Sequence, residues 1–286
     1  MSRIAYVNGA YAPMSAPLIG IEDRGFQFAD GVYEVWGVRG GRLQDTPGHM
    51  ARLWRSLDEL RITPPMGEAA LKSVLMETLR RNRVRDGILY LQITRGVAPR
   101  DHAFPNPEPI ATVVVTAKPQ DVRAITARAA KGVSVITAPD IRWGRCDIKS
   151  VALLPNVLAK QAAREHGAFE AWLVDSEGLI TEGTSSNAWI VDQSGVIRTR
   201  DLNANILRGV TRATLMKIAQ ERQMRIEERA FTLEEAKSAR EAFISSATSP
   251  AIPVVSIDGT AVGDGKPGAI AQALFNAYLP ASLAQG

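Results

Sequence analysis

The stretch RGFQFADGVYEV, residues 24–35, does most to decide the fold of this chain. Before it, a short apolar run at Ile4–Val7 ends in the turn dipeptide Asn8-Gly9, a pattern typical of a strand followed by a tight turn. After it, Thr46-Pro47 predicts a helix start, with threonine as the N-cap and proline at the first helical position. The predicted helix has apolar residues at helical spacing: Met50, Leu53, Trp54, Leu57 and Leu60.

Further elements are predicted on both sides of a proline-rich loop. We expect a second helix over about 67–83, and strands at Ile88–Ile93 and Thr112–Val115. Between these strands, residues 97–110 form a loop with four prolines: Pro99, Pro105, Pro107 and Pro109. A long loop of this kind is more often functional than idle.

A second series of predicted strands and helices follows a connection predicted over about 119–126. Strands are expected at Val133–Ile136, Ala171–Val174, Ala188–Val191, Phe243–Ser245 and Val254–Ile257, and helices over about 154–166, 211–223, 232–239 and 267–279. Strands and helices mix without strict βαβ alternation. The sequence therefore predicts two α+β domains, a smaller one over 1–120 and a larger one over 121–286, rather than a doubly wound sheet.

The composition is that of a globular protein without disulfides. Hydrophobic residues make up 45% and charged residues 22% of the 286 residues. Cys146 is the single cysteine, which excludes a disulfide within the chain and fits a reducing compartment. The first residues lack a signal-peptide layout and no apolar run is long enough to span a bilayer, so we expect a cytoplasmic protein that does not bind membranes.

Nucleic-acid binding is not expected, although the formal net charge is +4. The basic residues are scattered, and the densest patch, Arg80–Arg83, falls at the end of a predicted helix, where positive charge complements the helix dipole. A metal site is not expected either. The three histidines, His49, His102 and His166, lie far apart, and no cluster has the spacing of metal ligands.

Several segments carry side chains suited to chemistry, although each alone has an ordinary structural explanation. A lysine such as Lys149 can act as a nucleophile if it is partly buried near other cationic groups. In Thr181–Asn187, a carboxylate precedes a glycine, which allows close approach of a ligand, and hydroxyls that can bind phosphate or carboxylate oxygens. Residues 205–212 lead into a helix start that could bind an anion. Two further segments are the hydroxyl-rich strand end at 243–250 and Arg100-Asp101-His102, whose arginine suits a carboxylate.

Taken together and in this order, these segments resemble the class IV, or fold-type IV, pyridoxal-phosphate aminotransferases. Residues 24–35 are similar to the opening signature of that family, and the later landmarks are His49–Leu53, the Lys149 segment, Thr181–Gly183 and Gly209–Arg212. The similarity covers nearly the whole chain. It implies a two-domain α+β enzyme of fold type IV with the cofactor, pyridoxal 5′-phosphate, in the cleft between the domains.

The resemblance also implies cofactor contacts. Lys149 would form a Schiff base with the cofactor and carry a proton, and Glu182 would keep the pyridine nitrogen protonated. Leu207 would pack beneath the ring. The phosphate would be held by the following residues: Arg52, Val210, Thr211, Ser246 and Ala247. Ala247 stands where the family pattern has threonine, so we expect one hydroxyl contact to be missing.

For the substrate, the resemblance is closest to the D-amino acid transaminases. Arg95 and its neighbours, followed by Arg100-Asp101-His102, match that subgroup, as does the Lys149 segment. Tyr33, Arg100 and His102 would bind the α-carboxylate, with the arginine and histidine supplied by the other subunit of a homodimer. The remaining pocket candidates are Tyr90, Ser185, Ser186 and Thr248. The implied reaction moves the amino group of D-alanine to 2-oxoglutarate.

Four alternatives remain open at this point. An aminodeoxychorismate lyase of the same fold would use the same lysine. A branched-chain L-amino acid transaminase would bind the carboxylate differently, and an R-selective amine transaminase would not need to bind one. Retention of Tyr33, Arg100 and His102 favours the D-amino acid reaction over all three. A binding module without catalytic activity would require all these matches to be coincidental.

Overall fold

The structure is a computed structural model that describes residues 3–16, 19–203 and 205–284. The chain divides into two compact units. The first unit contains the residues up to Asp121 together with Ile148–Ala152, and the second contains Val122–Asp147 and the residues from Leu153 onward. The architecture is α+β, as predicted, whereas the proposed domains 1–120 and 121–286 stay a prediction.

In its described residues, the first unit is an antiparallel sheet with three helices. The strands are ordered β2-β1-β6-β5-β3-β4. The elements are β1 (Ile4–Val7), β2 (Ala10–Pro13), α1 (Arg24–Phe28), β3 (Gly31–Arg39), β4 (Arg42–Leu43), α2 (Thr46–Glu59), α3 (Glu68–Asn82), β5 (Gly87–Thr94) and β6 (Thr112–Pro119).

Alternation along β3 separates the core of the first unit from its other face. Val32, Trp36 and Val38 are fully buried and pack with Leu53 and the other apolar residues of α2 and α3. Tyr33 points to the opposite face, because successive side chains of a strand alternate between faces. Trp36 is therefore a core residue.

The second unit has a nine-stranded sheet in its described part, in the order β12-β11-β10-β13-β14-β7-β8-β9, with β15 beside β14. The elements are α4 (Val122–Lys131), β7 (Val133–Pro139), α5 (Leu154–Glu165), β8 (Glu170–Val174), β9 (Ile180–Gly183), β10 (Asn187–Val191), β11 (Ile197–Thr199), α6 (Val210–Glu221), β12 (Ile226–Glu228), α7 (Leu233–Lys237), β13 (Glu241–Ser246), β14 (Ser249–Ile257), β15 (Thr260–Ala261) and α8 (Ala269–Ala284).

Apolar clusters cover both faces of this sheet. On β10, Ala188 and Ile190 belong to the cluster that contains α4 and α7, whereas Trp189 and Val191 belong to the cluster that contains α6 and α8. All five residues of β10 are buried. A strand that is covered on both faces has a continuous apolar run rather than an alternating pattern, as Ala188–Val191 has.

Two local predictions were wrong. The connection expected over about 119–126 is largely the start of α4, whose buried stripe consists only of Ile125 and Ala129 and is too narrow to recognise from periodicity. The N-cap of α2 is Asp45, in the left-handed region at φ 50°, so Thr46 is already helical. The basic patch is confirmed at a helix end, where Arg80 and Arg81 pair with Glu77.

Among the described residues, we find no helix whose length and apolar character would allow it to span a membrane.

Candidate active site

Lys149 lies in the short segment of chain that joins the first unit. Its carbonyl accepts a hydrogen bond from the amide of Tyr33 at 3.0 Å, and the amide of Val151 donates to the carbonyl of Gly31 at 3.0 Å. The Nζ atom lies 4.2 Å from the centroid of the Tyr33 ring. In the described part of the chain, this ammonium group has no carboxylate partner, so an aromatic face is its main neighbour.

Tyr33 and Tyr90 form an aromatic pair on the same face of the sheet. Their ring centroids are 5.8 Å apart in a stacked arrangement. The hydroxyl of Tyr90 donates to Gln92 at 2.7 Å. Burial, and then the neighbouring Tyr33, raise the pKa of Tyr90 to about 12. Tyr90 is therefore a protonated hydrogen-bond donor at neutral pH.

Arg52 is fixed by a buried network on the core face of the sheet. Its Nε and Nη2 atoms donate to the carboxylate of Glu34 at 2.7 and 2.8 Å, and Nδ1 of His49 lies 2.7 Å from that carboxylate. Burial alone would raise the pKa of Glu34, but Arg52 and His49 together outweigh burial and hold this pKa well below the usual range. Glu34 therefore orients Arg52, and the expected phosphate contact of Arg52 stays a prediction.

His49 gives this network a predicted pH dependence. Burial lowers the pKa of His49, although Glu34 opposes the shift, and the residue is 1% exposed. A histidine whose folded pKa is depressed contributes stability that is complete above its unfolded pKa, near 6.5, and is lost as the pH falls below it. We expect the free energy of unfolding to fall by at most about 1.4 kcal/mol per pH unit from this residue.

The measurement is the free energy of unfolding between pH 8 and about pH 5. His49→Asn, which can still donate to Glu34, should flatten the profile below pH 6.5, whereas the matched change of the exposed His166 should leave it as in the wild type. Equal slopes in wild type and His49→Asn would show that His49 does not stay neutral in the folded protein.

Arg100 and His102 are exposed and lie beside one aromatic ring. The guanidinium carbon of Arg100 is 4.8 Å from the centroid of Phe28, and the ring of His102 is 5.4 Å from it. Both residues belong to the proline-rich loop of the first unit. The structure therefore brings these two residues together, and their role toward a substrate stays a prediction.

Glu182 is the centre of a polar network in the second unit. Its carboxylate accepts hydrogen bonds from Arg142, from Nδ2 of Asn187 at 3.0 Å and from the amide of Leu207 at 3.2 Å. Burial alone would lower the pKa of Arg142, but the neighbouring carboxylates of Asp140 and Glu182 outweigh burial and raise this pKa. Because this arginine stays charged, it supports the negative charge of Glu182.

The start of α6 lies next to this network. The carbonyl of Leu207 accepts from Asn187 at 3.1 Å, and α6 begins at Val210 after the N-cap Gly209. A Cβ atom at Gly209 would lie 2.0 Å from Oδ1 of Asn187, so glycine is required there. The first amides of a helix have no acceptor within it, which suits an anion, and the expected phosphate contacts of Val210 and Thr211 stay predictions.

The hydroxyls after Glu182 are directed toward a buried carboxylate. Ser185 and Ser186 lie 3.0 and 3.2 Å from Glu170, which is 1% exposed and also accepts from Thr184. An ionised carboxylate only accepts hydrogen bonds, so these hydroxyls are the donors. A Cβ atom at Gly183 would lie 2.4 Å from Oγ of Ser186, so this glycine makes room for the hydroxyl cluster. Substrate contacts of Ser185 and Ser186 stay predictions.

Ser246 is the last residue of β13, and Ala247 and Thr248 form the tight connection to β14. All three are half-buried, and the hydroxyls of Ser246 and Thr248 are 3.4 Å apart. The predicted hydroxyl-rich strand end is therefore confirmed, whereas its contacts with a cofactor or substrate stay predictions.

Sequence reasoning missed the residues that hold the candidates in place. Glu34 and Arg142 are charged residues with no local motif, and Glu170 lies outside the hydroxyl segment that it organises. The one signal for Glu34 is its place on β3 between Val32 and Trp36, on the core face of that strand, because a buried carboxylate requires a partner.

Comparison with known proteins identifies the family of the chain. The sequence profile of the class IV aminotransferases matches residues 31–257. The chain is 45% identical over 264 residues to the D-alanine aminotransferase of Bacillus licheniformis, covering 91% of this chain and 90% of the relative. It is 38% identical to the D-alanine aminotransferase of Staphylococcus haemolyticus, with 96% and 97% covered.

A solved structure shares the fold. The branched-chain aminotransferase of the thermophilic archaeon Thermoproteus uzoniensis, solved with norvaline, has a TM-score of 0.85 and 24% identity, covering 100% of this chain and 96% of the other. The profile match spans most of the chain, and the Bacillus relative is well above 30% identical. The chain belongs to the class IV aminotransferases.

Proposed function

We propose that this chain is a pyridoxal-phosphate-dependent transaminase that moves the amino group of D-amino acids, such as D-alanine, to a 2-oxo acid, such as 2-oxoglutarate. The observation that carries the proposal is the setting of Lys149, whose ammonium group lies over the Tyr33 ring without a carboxylate partner among the described residues. A lysine held in this way can act as a nucleophile and as a proton carrier.

The residues present fit pyridoxal phosphate. Lys149 offers the amine, and Glu182 offers a buried carboxylate for a protonated pyridine nitrogen. The start of α6, with Gly209 as its N-cap, suits a phosphate, as does the oriented guanidinium of Arg52. When bound, the cofactor supplies an electron sink for the negative charge left by removal of the substrate proton.

Each residue then has a defined task in the proposed reaction. The Nζ atom of Lys149 would take the proton from the substrate α-carbon and deliver it to C4′ of the cofactor, and it would carry the proton in the opposite direction when the 2-oxo acid is aminated. Arg142 and Asn187 both donate to the carboxylate of Glu182, which favours its charged form, and Glu182 would keep the pyridine nitrogen protonated. Tyr33, Arg100 and His102 bind the substrate α-carboxylate, which matches the fork of an arginine.

The D-amino acid reaction is favoured by the sequence relatives rather than by the fold. The two D-alanine aminotransferases are 45% and 38% identical to this chain, whereas the branched-chain enzyme shares its fold at 24% identity. A shared fold does not imply a shared substrate. The loop with Arg100 and His102 adds a site for the α-carboxylate.

Arg100→Ala tests the substrate part of the proposal. We expect the KM for D-alanine to rise by about two orders of magnitude, because truncation of one partner of a charged pair costs about 2–5 kcal/mol. The affinity for pyridoxal phosphate should not change. Arg81→Ala is the control, because Arg81 also lies over an aromatic ring, that of Tyr11 at 4.1 Å. An unchanged KM, or a loss of cofactor affinity alone, would place the loop outside the substrate site.

The same variant tests the proposed homodimer. Large apolar side chains of the first unit are exposed, as an interface requires, including Ile21 at 83%, Phe26 at 79% and Ile110 at 91%. If Arg100 acts across the interface, a mixture of Arg100→Ala and Lys149→Ala subunits should regain activity, with about a quarter of the sites intact after random pairing. A mixture that stays inactive after subunit exchange contradicts this arrangement.

We also propose that the protein is located in the cytoplasm. This is supported by the absence of a second cysteine in the sequence.

A further inference from the structure

Arg24 anchors the backbone of the loop that carries Arg100 and His102. This arginine is 3% exposed, and its guanidinium donates to the carbonyls of Asp101 at 2.6 Å and His102 at 3.4 Å. Its Nε atom donates to Asp30 at 2.8 Å. The loop backbone is therefore tied to a buried charge rather than only to solvent.

Asp30 is itself held from a second side. Arg95 donates to both of its carboxylate oxygens, at 2.7 and 3.0 Å, and also to the carbonyls of Leu60 and Arg61. One carboxylate thus joins two buried arginines, at the start of α1 and the end of β5. This network fixes where the loop begins, but it does not fix where the exposed side chains of the loop point.

Phe28 provides the surface on which those side chains rest. Its ring has the guanidinium carbons of Arg24 and Arg100 each 4.8 Å from its centroid, and the ring of His102 at 5.4 Å and 48°. A cation over an aromatic face is attracted by the ring quadrupole. Because Arg100 and His102 are both exposed, this ring is the contact that limits their motion.

We infer that Phe28 is a positioning residue that fixes the pose of Arg100 and His102 and thereby sets the affinity for the substrate α-carboxylate. The inference rests on the proposed function, which assigns these two residues to the carboxylate. Without the ring, an exposed arginine would sample many rotamers in water, and each binding event would have to order it again. The loss should therefore appear in substrate affinity and not in the chemical step.

Phe28→Leu is the test, and the chain offers a matched control. Phe104 lies in the same loop, is 47% exposed and also has two arginines over its ring, Arg95 at 3.8 Å and Arg61 at 4.8 Å. We expect Phe28→Leu to raise the KM for D-alanine about ten-fold with kcat within about two-fold, whereas Phe104→Leu should leave both near the wild-type values. Phe28→Tyr, which keeps the ring, should restore the KM.

A double-mutant cycle separates this inference from the proposed function. In the Arg100→Ala background, Phe28→Leu should raise the KM much less than in the wild type, because the side chain that it positions is already absent. If Arg100→Ala raises the KM and Phe28→Leu does no more than Phe104→Leu, the positioning role is wrong and the proposed function stands. If Arg100→Ala itself leaves the KM unchanged, Arg100 does not bind the substrate α-carboxylate, and the proposed function is wrong at this point together with the inference that rests on it. If the leucine variant does not fold, Phe28→Met makes the same comparison.

Discussion

Replacement of Lys149 by alanine should lower kcat for transamination by about 10⁴-fold, the upper end of what a positioned acid–base group contributes. It should also abolish covalent attachment of the cofactor. The reason is the position of Nζ, which has the ring of Tyr33 4.2 Å away and is held by backbone pairing of its segment with β3. The measurement is the protein mass after borohydride treatment in the presence of pyridoxal phosphate, together with kcat.

The control for this variant is Lys72→Ala. Lys72 belongs to the same unit, but its side chain is 45% exposed on α3 and pairs with Glu68 at 3.3 Å, which is the ordinary surface setting of a lysine. This variant should keep the covalent mass increase and full activity. If Lys149→Ala retained either the mass increase or near wild-type half-reaction rates, another lysine would have to carry the chemistry.

Replacement of Glu182 by glutamine should lower kcat by about 10²-fold or more, comparable with the removal of one group that stabilises charge in a transition state. Glutamine keeps the size of the side chain and an acceptor for Asn187 and Leu207, but it removes the negative charge opposite Arg142. A neutral amide cannot hold a proton on the pyridine nitrogen. The measurements are kcat, cofactor affinity and the visible spectrum of the bound cofactor.

Glu177→Gln is the matched control, because Glu177 lies in the exposed turn before β9. We expect this control to leave kcat and the spectrum unchanged. If Glu182→Gln shows the wild-type spectrum and kcat, the carboxylate serves only the internal network with Arg142 and does not contact the cofactor.

Much of the fold could be predicted from sequence, because its elements have clear patterns. The stripe from Met50 to Leu57 defines α2, and the continuous apolar run of β10 marks a strand covered on both faces. The helix α4 could not be predicted in the same way, since it buries only Ile125 and Ala129. The five-residue helix α1 is likewise too short for periodicity to show.

The residues of the candidate site likewise include some that the sequence indicates and some that it does not. Lys149 and Glu182 could be named as candidates because they occur in recognisable segments, and their roles stay predictions. The residues that orient the candidates could not, because Glu34, Arg142 and Glu170 act through contacts between distant parts of the chain. No local pattern indicates which of many charged residues becomes buried, since tertiary packing decides it. Phe28 is a similar case, because its role depends on the loop that lies over it.

The most direct test of the account is a pair of half-reactions. The protein loaded with pyridoxal phosphate is mixed separately with D-alanine and with L-leucine while the visible absorbance of the cofactor is followed. We expect rapid loss of the absorbance with D-alanine and none with L-leucine. Conversion by L-leucine alone would contradict the D-amino acid assignment and would remove Arg100 and His102 from the substrate site.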